Sequence, residues 1–123
     1  MPKTKTLALI AHDAKKHELI AFANRHIKWL KKFKLVGTKT TAAFLTRETQ
    51  LKIHPLLSGP MGGDLQVGSL VASGKVDILI FFRDPLTAQP HDPDINALVR
   101  ICDVHNVPVA TNPATAHCII KSL

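Results

Sequence analysis

Two long apolar runs constrain the fold of this 123-residue chain more than any other feature of its sequence. Thr6–Ala11 and Val76–Phe82 each have the length of one strand, and the second is rich in β-branched and aromatic side chains. A strand that is apolar on both faces is typical of a parallel sheet covered by helices on both sides. The two runs therefore predict a sheet whose two faces are both buried.

Shorter strand candidates and helical patterns fill the rest of the chain. Strands are predicted over 33–37, within 51–57 and over 107–110, and helices over 14–32, from Thr38–Thr41 to about residue 49, and over 65–73, 94–105 and 113–121. These five strand–helix repeats predict a single α/β domain over residues 1–123. Its three layers are α/β/α around a five-stranded parallel sheet with right-handed crossovers.

The formal charge of +7 is concentrated in the first third of the chain, where ten of the sixteen Lys and Arg residues lie. A solvated helix face and a field that attracts small anions both explain this excess. Nucleic-acid binding is not favoured, because aromatic residues make up 5% of the chain and tyrosine is absent.

The sequence also carries no membrane or export signal. No apolar run approaches the ~18 residues of a membrane span, and the first residues do not resemble a signal peptide. Cys102 and Cys118 are isolated, which is typical of reduced cytosolic thiols. We therefore expect a cytoplasmic protein with no membrane partner.

Every unusual polar cluster follows the carboxyl end of a predicted strand. These clusters are His12-Asp13, Thr38–Thr41, Ser58–Asp64, the acidic and histidine residues of 84–94, and Thr111-Asn112. Because the carboxyl ends of parallel strands share one edge of the sheet, where ligands bind in open α/β folds, we expect one site there.

The donors at this edge predict an anionic ligand, most simply a phosphate. Helix N-termini and glycine N–H groups attract anions, hydroxyls donate to them, and a lysine adds charge. The candidate donors are the N–H groups of Ser58, Gly59, Gly62 and Gly63, the hydroxyls of Thr38, Thr40 and Thr41, and Lys16. The loop matches neither G-x-G-x-x-G nor the Walker pattern, so a nucleotide is not predicted, and a glycine turn without a ligand is the simpler alternative.

Asp64, at the end of this loop, is the candidate general base. A nearby anion raises the proton affinity of a carboxylate, although an aspartate at a helix start is also a common N-cap. His12 and His91 are the candidate acid and electrophile, and Asp94 either orients a histidine or caps its own helix. Together with Asp13 these residues also suggest a metal site, but their spacing matches no regular metal motif, so no metal is predicted.

Five segments of the chain resemble the methylglyoxal synthase family, between about residue 7 and residue 116. They are Ile10-Ala-His-Asp13 with Lys16, Ser58-Gly-Pro-Met-Gly-Gly-Asp64, Phe81-Phe-Arg-Asp-Pro85, Pro90-His-Asp-Pro-Asp94 and Pro108-Val-Ala-Thr-Asn112. The resemblance implies a Rossmann-like domain and a carbon–oxygen lyase that converts dihydroxyacetone phosphate to methylglyoxal and inorganic phosphate, a bypass of glycolysis. It implies no cofactor or metal, a homohexamer, and inhibition by inorganic phosphate.

The resemblance also assigns roles to individual residues. Asp64 resembles the catalytic base of the family, His12 and His91 its contacts to the substrate oxygens, and Asp13 and Asp94 match acidic positions in or beside its site. Asp94 is thus a catalytic candidate with Asp64 and His91, and Asp13 a supporting one. The family's phosphate-binding residues correspond to Lys16, Thr38, Thr40, Thr41, Ser58 and Gly59.

The chain departs from the family pattern at Lys39 and Ala42, which stand where the family has glycines. Lys39 is a further candidate phosphate ligand because of its own charge. Many members carry an arginine in a C-terminal tail near the site, and Arg83 is a candidate substitute.

A regulatory module is the alternative to an enzyme, because domains of the same fold in carbamoyl-phosphate synthetase bind effectors without chemistry. Binding alone requires the phosphate donors but neither Asp64 nor His91. The presence of both favours the enzyme.

Overall fold

A five-stranded, all-parallel sheet organises the chain in the computed structural model, which describes residues 4–122. The sheet order is β3-β2-β1-β4-β5. The strands are β1 (Thr6–Ala11), β2 (Lys34–Gly37), β3 (His54–Pro55), β4 (Ile78–Phe82) and β5 (Val109–Ala110). The two long apolar runs form the adjacent central strands β1 and β4, as expected for strands that are buried on both faces. The predicted fold class is confirmed.

Within residues 4–122, five α-helices and two short 3₁₀ turns lie between the strands, and a sixth helix follows β5. The helices are α1 (Lys16–Arg25), α2 (Ile27–Leu30), α3 (Lys39–Glu48), α4 (Gly63–Ala72), α5 (Asp92–Val104) and α6 (Pro113–Ser122), and the 3₁₀ turns are Asp13–Lys15 and Gly59–Met61. Among residues 4–122 no helix combines the length and apolar character needed to cross a membrane.

Two hydrophobic layers, one on each face of the sheet, hold the helices in place. Alternate β1 side chains supply both layers: Leu7 and Leu9 pack with residues of α1, α3 and α6, whereas Ala8 and Ile10 pack with residues of α4 and α5. Complete burial of one leucine contributes about 1.5–3 kcal/mol. The alternation of β1 therefore determines which helices lie on which face.

The structure differs from the predicted helix over 14–32 at both its start and its middle. Asp13 belongs to a 3₁₀ turn and forms no N-cap hydrogen bond. Helix α1 ends at Arg25, and His26 leaves helical geometry with φ −119° and ψ 32°. The imidazole of His26 packs against Phe22 and His117, with ring centroids 5.0 and 5.4 Å apart. The contact with His117 of α6 cannot be predicted from the helical periodicity of one segment.

Candidate active site

Five buried polar side chains mark the carboxyl edge of the sheet. Across residues 4–122 the buried polar or charged side chains are those of His12, Lys16, Thr38, Thr41 and Asp64. All five are residues that the sequence predicted for the site. Burial of a polar group lowers stability unless another group or a ligand compensates it, so this concentration at one edge indicates a binding site.

Asp64 is fully buried and does not cap its helix. Gly62 occupies the N-cap position of α4 with φ 100°, and Asp64 lies within the first turn. Neither carboxylate oxygen has a hydrogen-bond partner among the described residues. Burial raises the pKa of Asp64, His91 opposes the shift, and the nearby Asp94 carboxylate adds to it. The N-cap alternative is therefore wrong, and the carboxylate is left with the raised pKa that suits a base.

The loop between β3 and α4 uses part of its own N–H groups internally. The carbonyl of Ser58 accepts from the N–H groups of Met61 (3.0 Å) and Gly63 (2.8 Å), and the carbonyl of Gly59 accepts from Gly62 (3.0 Å). The prediction that Gly62 and Gly63 offer N–H groups to a ligand is therefore wrong. The N–H groups of Ser58 and Gly59 donate to no acceptor within the described part of the chain and stay available.

His12 follows β1 directly, and its ring is held in one orientation. Its Nδ1 accepts a hydrogen bond from the backbone N–H of Asp84 at 2.8 Å, and its Nε2 is buried without a partner among residues 4–122. The edges of the Phe81 and His91 rings lie against it, with centroids 5.2 and 6.1 Å away. Burial lowers the pKa of His12, and the charges of His91 and Arg83 lower it further, so the ring is neutral at neutral pH.

His91 occupies the N-cap position of α5 and reaches across to the 58–64 loop. Its Nε2 lies 3.4 Å from Oδ2 of Asp64, and its Nδ1 is buried without a partner in the described chain. A methyl group on Gly59 would stand 2.7 Å from that Nε2. The imidazole therefore occupies space that exists only because residue 59 has no side chain.

Ala11, at the end of β1, connects the lysine and threonines of the site. Nζ of Lys16 donates to the carbonyl of Ala11 at 2.8 Å and to Oδ1 of Asp13 at 2.9 Å. Oγ1 of Thr41 accepts from the N–H of Ala11 at 3.2 Å and from the Thr38 hydroxyl at 3.2 Å. This network fixes the Lys16 ammonium group below the carboxyl edge.

The remaining predicted residues lie at the margin of this cluster. Lys39 and Thr40 are exposed in the first turn of α3, and Asp94 is half-buried in the first turn of α5. The Asp13 carboxylate is almost fully exposed, and its hydrogen bond from Lys16 lowers its pKa. The structure therefore brings Asp13 to the cluster only through Lys16.

The two replaced family glycines cause no backbone strain. Among the described residues, Asn106 is the one non-glycine residue with a positive φ, so Lys39 and Ala42 both have ordinary backbone conformations. Both belong to helix α3, in which a side chain is readily accommodated.

Sequence reasoning missed the backbone groups that hold the site together. Almost every residue has a backbone N–H and a carbonyl, so residue types do not indicate that the N–H of Asp84 and the carbonyl of Ala11 contact the site.

Arg83 is half-buried and lines a cavity of about 470 Å³ with Lys15, Thr111 and Asn112 beside the site. Within residues 4–122 no group of three or more His, Cys, Asp or Glu side chains is placed to hold a metal ion.

Comparisons with known proteins identify a family model, sequence relatives and a solved structure that this chain resembles. A family model described as the MGS-like domain matches residues 18–111. A methylglyoxal synthase from Ralstonia nicotianae is 55% identical over 123 residues, covering 100% of this chain and 91% of that protein. One from Moorella thermoacetica is 57% identical over 115 residues, covering 94% of this chain and 90% of that protein. The crystal structure of a methylglyoxal synthase from Elizabethkingia anophelis matches with a TM-score of 0.90 at 43% identity, covering 98% of this chain and 79% of that one.

Proposed function

Because this chain belongs to the methylglyoxal synthase family and shares its lyase activity, we propose that dihydroxyacetone phosphate is the substrate and that Asp64 is the base that starts the reaction. Four buried atoms that have no hydrogen-bond partner among residues 4–122 carry this proposal: Nε2 of His12, Oδ1 and Oδ2 of Asp64, and Nδ1 of His91. Each costs about 1–3 kcal/mol when left unpaired. A bound substrate that offers a proton to the carboxylate and oxygens to the imidazoles removes this cost.

Asp64 takes a proton from the carbon next to the substrate carbonyl. Its carboxylate is buried beside His91, and its raised pKa makes it a stronger base than an exposed aspartate. The half-buried Asp94 adds negative charge close to Asp64, which supports a catalytic contribution by raising the proton affinity of the base.

The oxyanion that develops on the substrate requires hydrogen-bond donors. The imidazoles of His12 and His91 lie nearly perpendicular to each other, with ring centroids 6.1 Å apart. Donors that are held in place before the reaction stabilise developing charge without reorganisation. His12 and His91 therefore flank the enediolate intermediate.

The phosphate group binds at the neighbouring donors. The free N–H groups of Ser58 and Gly59 and the N-terminus of α3 supply hydrogen bonds and a partial positive charge. The side chains that complete this phosphate site are those of Lys16, Thr38, Lys39, Thr40 and Thr41. When these donors hold the C–O bond of the phosphate ester in line with the enediolate π system, the electron pair of the enediolate expels inorganic phosphate, and the remaining enol becomes methylglyoxal.

Incubation with dihydroxyacetone phosphate tests the proposal directly. We expect methylglyoxal and inorganic phosphate to appear in equal amounts without added metal or cofactor. A dicarbonyl-trapping assay and a phosphate assay on the same samples measure the two products. Phosphate binding without formation of either product would contradict the proposal and support a regulatory effector-binding module instead.

Loss of the buried lysine provides a test of the phosphate site. We expect Lys16→Met to raise KM for dihydroxyacetone phosphate about ten- to hundred-fold, because hydrogen bonds to charged groups contribute about 1.5–3 kcal/mol. Steady-state kinetics measure the effect. The adjacent Lys15, which forms a 3.6 Å ion pair with Glu18, supplies the control. Lys15→Met removes the same charge from the same helix region and should leave KM within about two-fold; equal effects of the two variants would contradict a specific role for Lys16.

The assembly, the regulation and the location of the protein remain part of the proposal. Large hydrophobic side chains are exposed beside the site at Leu57, Met61 and Leu65, which supports burial against further copies of the chain, a homohexamer by resemblance to the family. A phosphate site inside the catalytic cluster supports inhibition by inorganic phosphate. A phosphorylated intracellular metabolite as substrate supports a cytoplasmic location.

A further inference from the structure

We propose that Asp84 is a positioning residue whose backbone N–H locks His12 as the Nε2-protonated tautomer, so that His12 serves as the fixed hydrogen-bond donor to the substrate oxyanion. This inference rests on the proposed function and deepens it, since it assigns separate tasks to the two histidines of the site. It places in the mechanism a residue that touches no substrate atom.

The hydrogen bond between Asp84 and His12 determines where the imidazole proton resides. The distance from the Asp84 nitrogen to Nδ1 of His12 is 2.8 Å, and the two residues are 72 positions apart in the chain. A nitrogen that accepts a hydrogen bond has no proton of its own, so in a neutral ring the proton is on the other nitrogen. Here that nitrogen is Nε2, which is buried and has no partner among residues 4–122.

The backbone around His12 holds the ring against this donor. The His12 N–H donates to the carbonyl of Phe82 at 3.2 Å, which continues the pairing of β1 with β4 beyond the last strand residues. His12 and Asp84 therefore face each other across two paired strand ends. The backbone of the central sheet, and not a flexible side chain, therefore positions the N–H of Asp84 against His12.

The Asp84 carboxylate serves the turn and not the substrate. Its Oδ1 accepts from the N–H of Leu86 at 3.1 Å, a local side-chain-to-backbone bond of the kind that stabilises turns. Hydrogen bonds from Leu86 and Thr87 lower the pKa of this carboxyl, so it stays ionised and keeps the turn closed. The closed turn holds the peptide plane of residue 84 toward His12.

His91 has no comparable restraint. Its Nε2 faces the Asp64 carboxylate at 3.4 Å, and within the described chain its Nδ1 has no partner. The Asp64 carboxylate favours a proton on Nε2 of His91, but no backbone donor holds the other nitrogen unprotonated, so this ring is not restricted to one protonation pattern as His12 is. The two imidazoles are chemically alike but differ in this one contact.

The tautomer of His12 is measurable in the unmodified protein. Histidine labelled with ¹⁵N gives distinct long-range ¹H–¹⁵N patterns for the two tautomers and for the imidazolium, and the His12 signal is assigned by its absence from the His12→Gln variant. We expect a neutral, Nε2-protonated ring at neutral pH. A protonated Nδ1, an average of both tautomers or an imidazolium would overturn the proposal, whether or not the enzyme turns over.

Two substitutions of Asp84 separate its N–H from its carboxylate. Asp84→Pro removes both the N–H and the carboxylate, whereas Asp84→Ala keeps the N–H and removes only the carboxylate, with its contacts to Leu86 and Thr87 and its negative charge near His12. We expect Asp84→Pro to lower kcat about five-fold with little change in KM, because the ring loses the hydrogen bond that both selects its tautomer and fixes its orientation, and the free energy of one ordinary hydrogen bond corresponds to roughly that factor. The His12 signal of this variant should become an average of the tautomers. Asp84→Ala should retain the Nε2-protonated pattern and lose less activity.

The outcomes distinguish a residue that fixes the tautomer of His12 from one that only stabilises the turn. Wild-type kcat and an unchanged tautomer in a folded Asp84→Pro variant would overturn the proposal, as would an equal loss in Asp84→Ala with the tautomer intact. If circular dichroism shows that Asp84→Pro does not fold, the wild-type spectrum alone decides. Absence of methylglyoxal from the wild-type enzyme would count against the proposed function and leave the tautomer measurement unaffected.

Discussion

Replacement of Asp64 by asparagine is expected to lower kcat by about three orders of magnitude, within the range of 10² to 10⁴ typical for loss of a general base. The amide keeps the size of the carboxyl group but cannot accept the substrate proton. Affinity for inorganic phosphate should stay the same or increase, because one negative charge leaves the neighbourhood of the anion. Methylglyoxal kinetics and phosphate titration by calorimetry measure the two effects.

The stability of this variant should change in the opposite direction from its activity. The folded-state pKa of Asp64 is raised by burial, so the folded protein binds a proton more readily than the unfolded chain does. Protonation of Asp64 therefore adds to the free energy of unfolding. This contribution is fully present below the pKa of Asp64 in the unfolded chain and is lost as the pH rises through its pKa in the folded protein. Asp64→Asn removes the buried charge, and its free energy of unfolding at neutral pH should exceed that of the wild type in urea titrations.

The same raised pKa predicts the acidic limb of the pH profile. The kcat/KM of the wild type should fall as the pH decreases through the folded pKa of Asp64, at a pH above the ordinary aspartate range near 3.9.

Asp77 supplies the control for Asp64→Asn. This half-buried aspartate accepts a hydrogen bond from the N–H of Thr6 at 2.8 Å at the opposite edge of the sheet. Asp77→Asn should keep the wild-type kcat. Substantial activity in Asp64→Asn would reject Asp64 as the base.

Addition of one methyl group at Gly59 is expected to reduce kcat about hundred-fold while the protein stays folded. The new Cβ would lie 2.7 Å from Nε2 of His91, well inside van der Waals contact, so the imidazole must shift from its present position beside Asp64. A displacement of about 1 Å in a catalytic group is sufficient for an effect of this size. Steady-state kinetics of Gly59→Ala test the expectation, and circular dichroism verifies folding.

Gly68 provides a matched control for this substitution. It lies within α4, where an added Cβ would meet Ile101 at 3.7 Å and Leu98 at 3.8 Å, both ordinary contacts. Gly68→Ala should therefore leave kcat unchanged and raise stability by up to about 1 kcal/mol, because alanine favours the helix more than glycine does. Equal losses of activity in both variants would show that the 59 position has no special relation to His91.

The sequence predicted most of the fold because the relevant information is local. Apolar runs and helical spacing identified β1, β2, β4 and the helices, and the third strand lies within the predicted range 51–57, whereas the last strand is shorter than predicted. The segment over 107–110 contributes only Val109–Ala110 to the sheet, and the third strand is limited to His54–Pro55. Pairing at the edge of a sheet depends on the neighbouring strand, which periodicity does not describe.

The position of the site was also available from the sequence. Residues that follow the strands of a parallel sheet meet at one edge, so the sequence predicts that His12, Thr38, Ser58 and Asp64 lie close together. The resemblance to methylglyoxal synthases named the chemistry at that edge. The comparisons then established the family of the chain.

The Ser58–Asp64 loop is the segment whose hydrogen bonds and burial the sequence did not predict correctly. Its residue types predicted N–H donors at Ser58-Gly59 and at Gly62-Gly63, yet the N–H groups of Gly62 and Gly63 donate to carbonyls inside the loop. An aspartate at a helix start suggested a cap, but the packing of α4 against α5 buries Asp64 beside His91. A side chain's burial depends on neighbours that are distant in sequence, so the sequence alone did not distinguish cap from base.

The sequence by itself therefore determined a parallel α/β sheet, the edge that carries the site and the residue types present there. Only the tertiary structure decided the state of each group: the raised pKa of Asp64, the proton position on His12 and the room for His91 above Gly59. The physical reason is that strand formation and helix amphipathicity depend on near neighbours. Protonation and tautomer depend on desolvation and on single hydrogen bonds between residues such as His12 and Asp84, 72 positions apart.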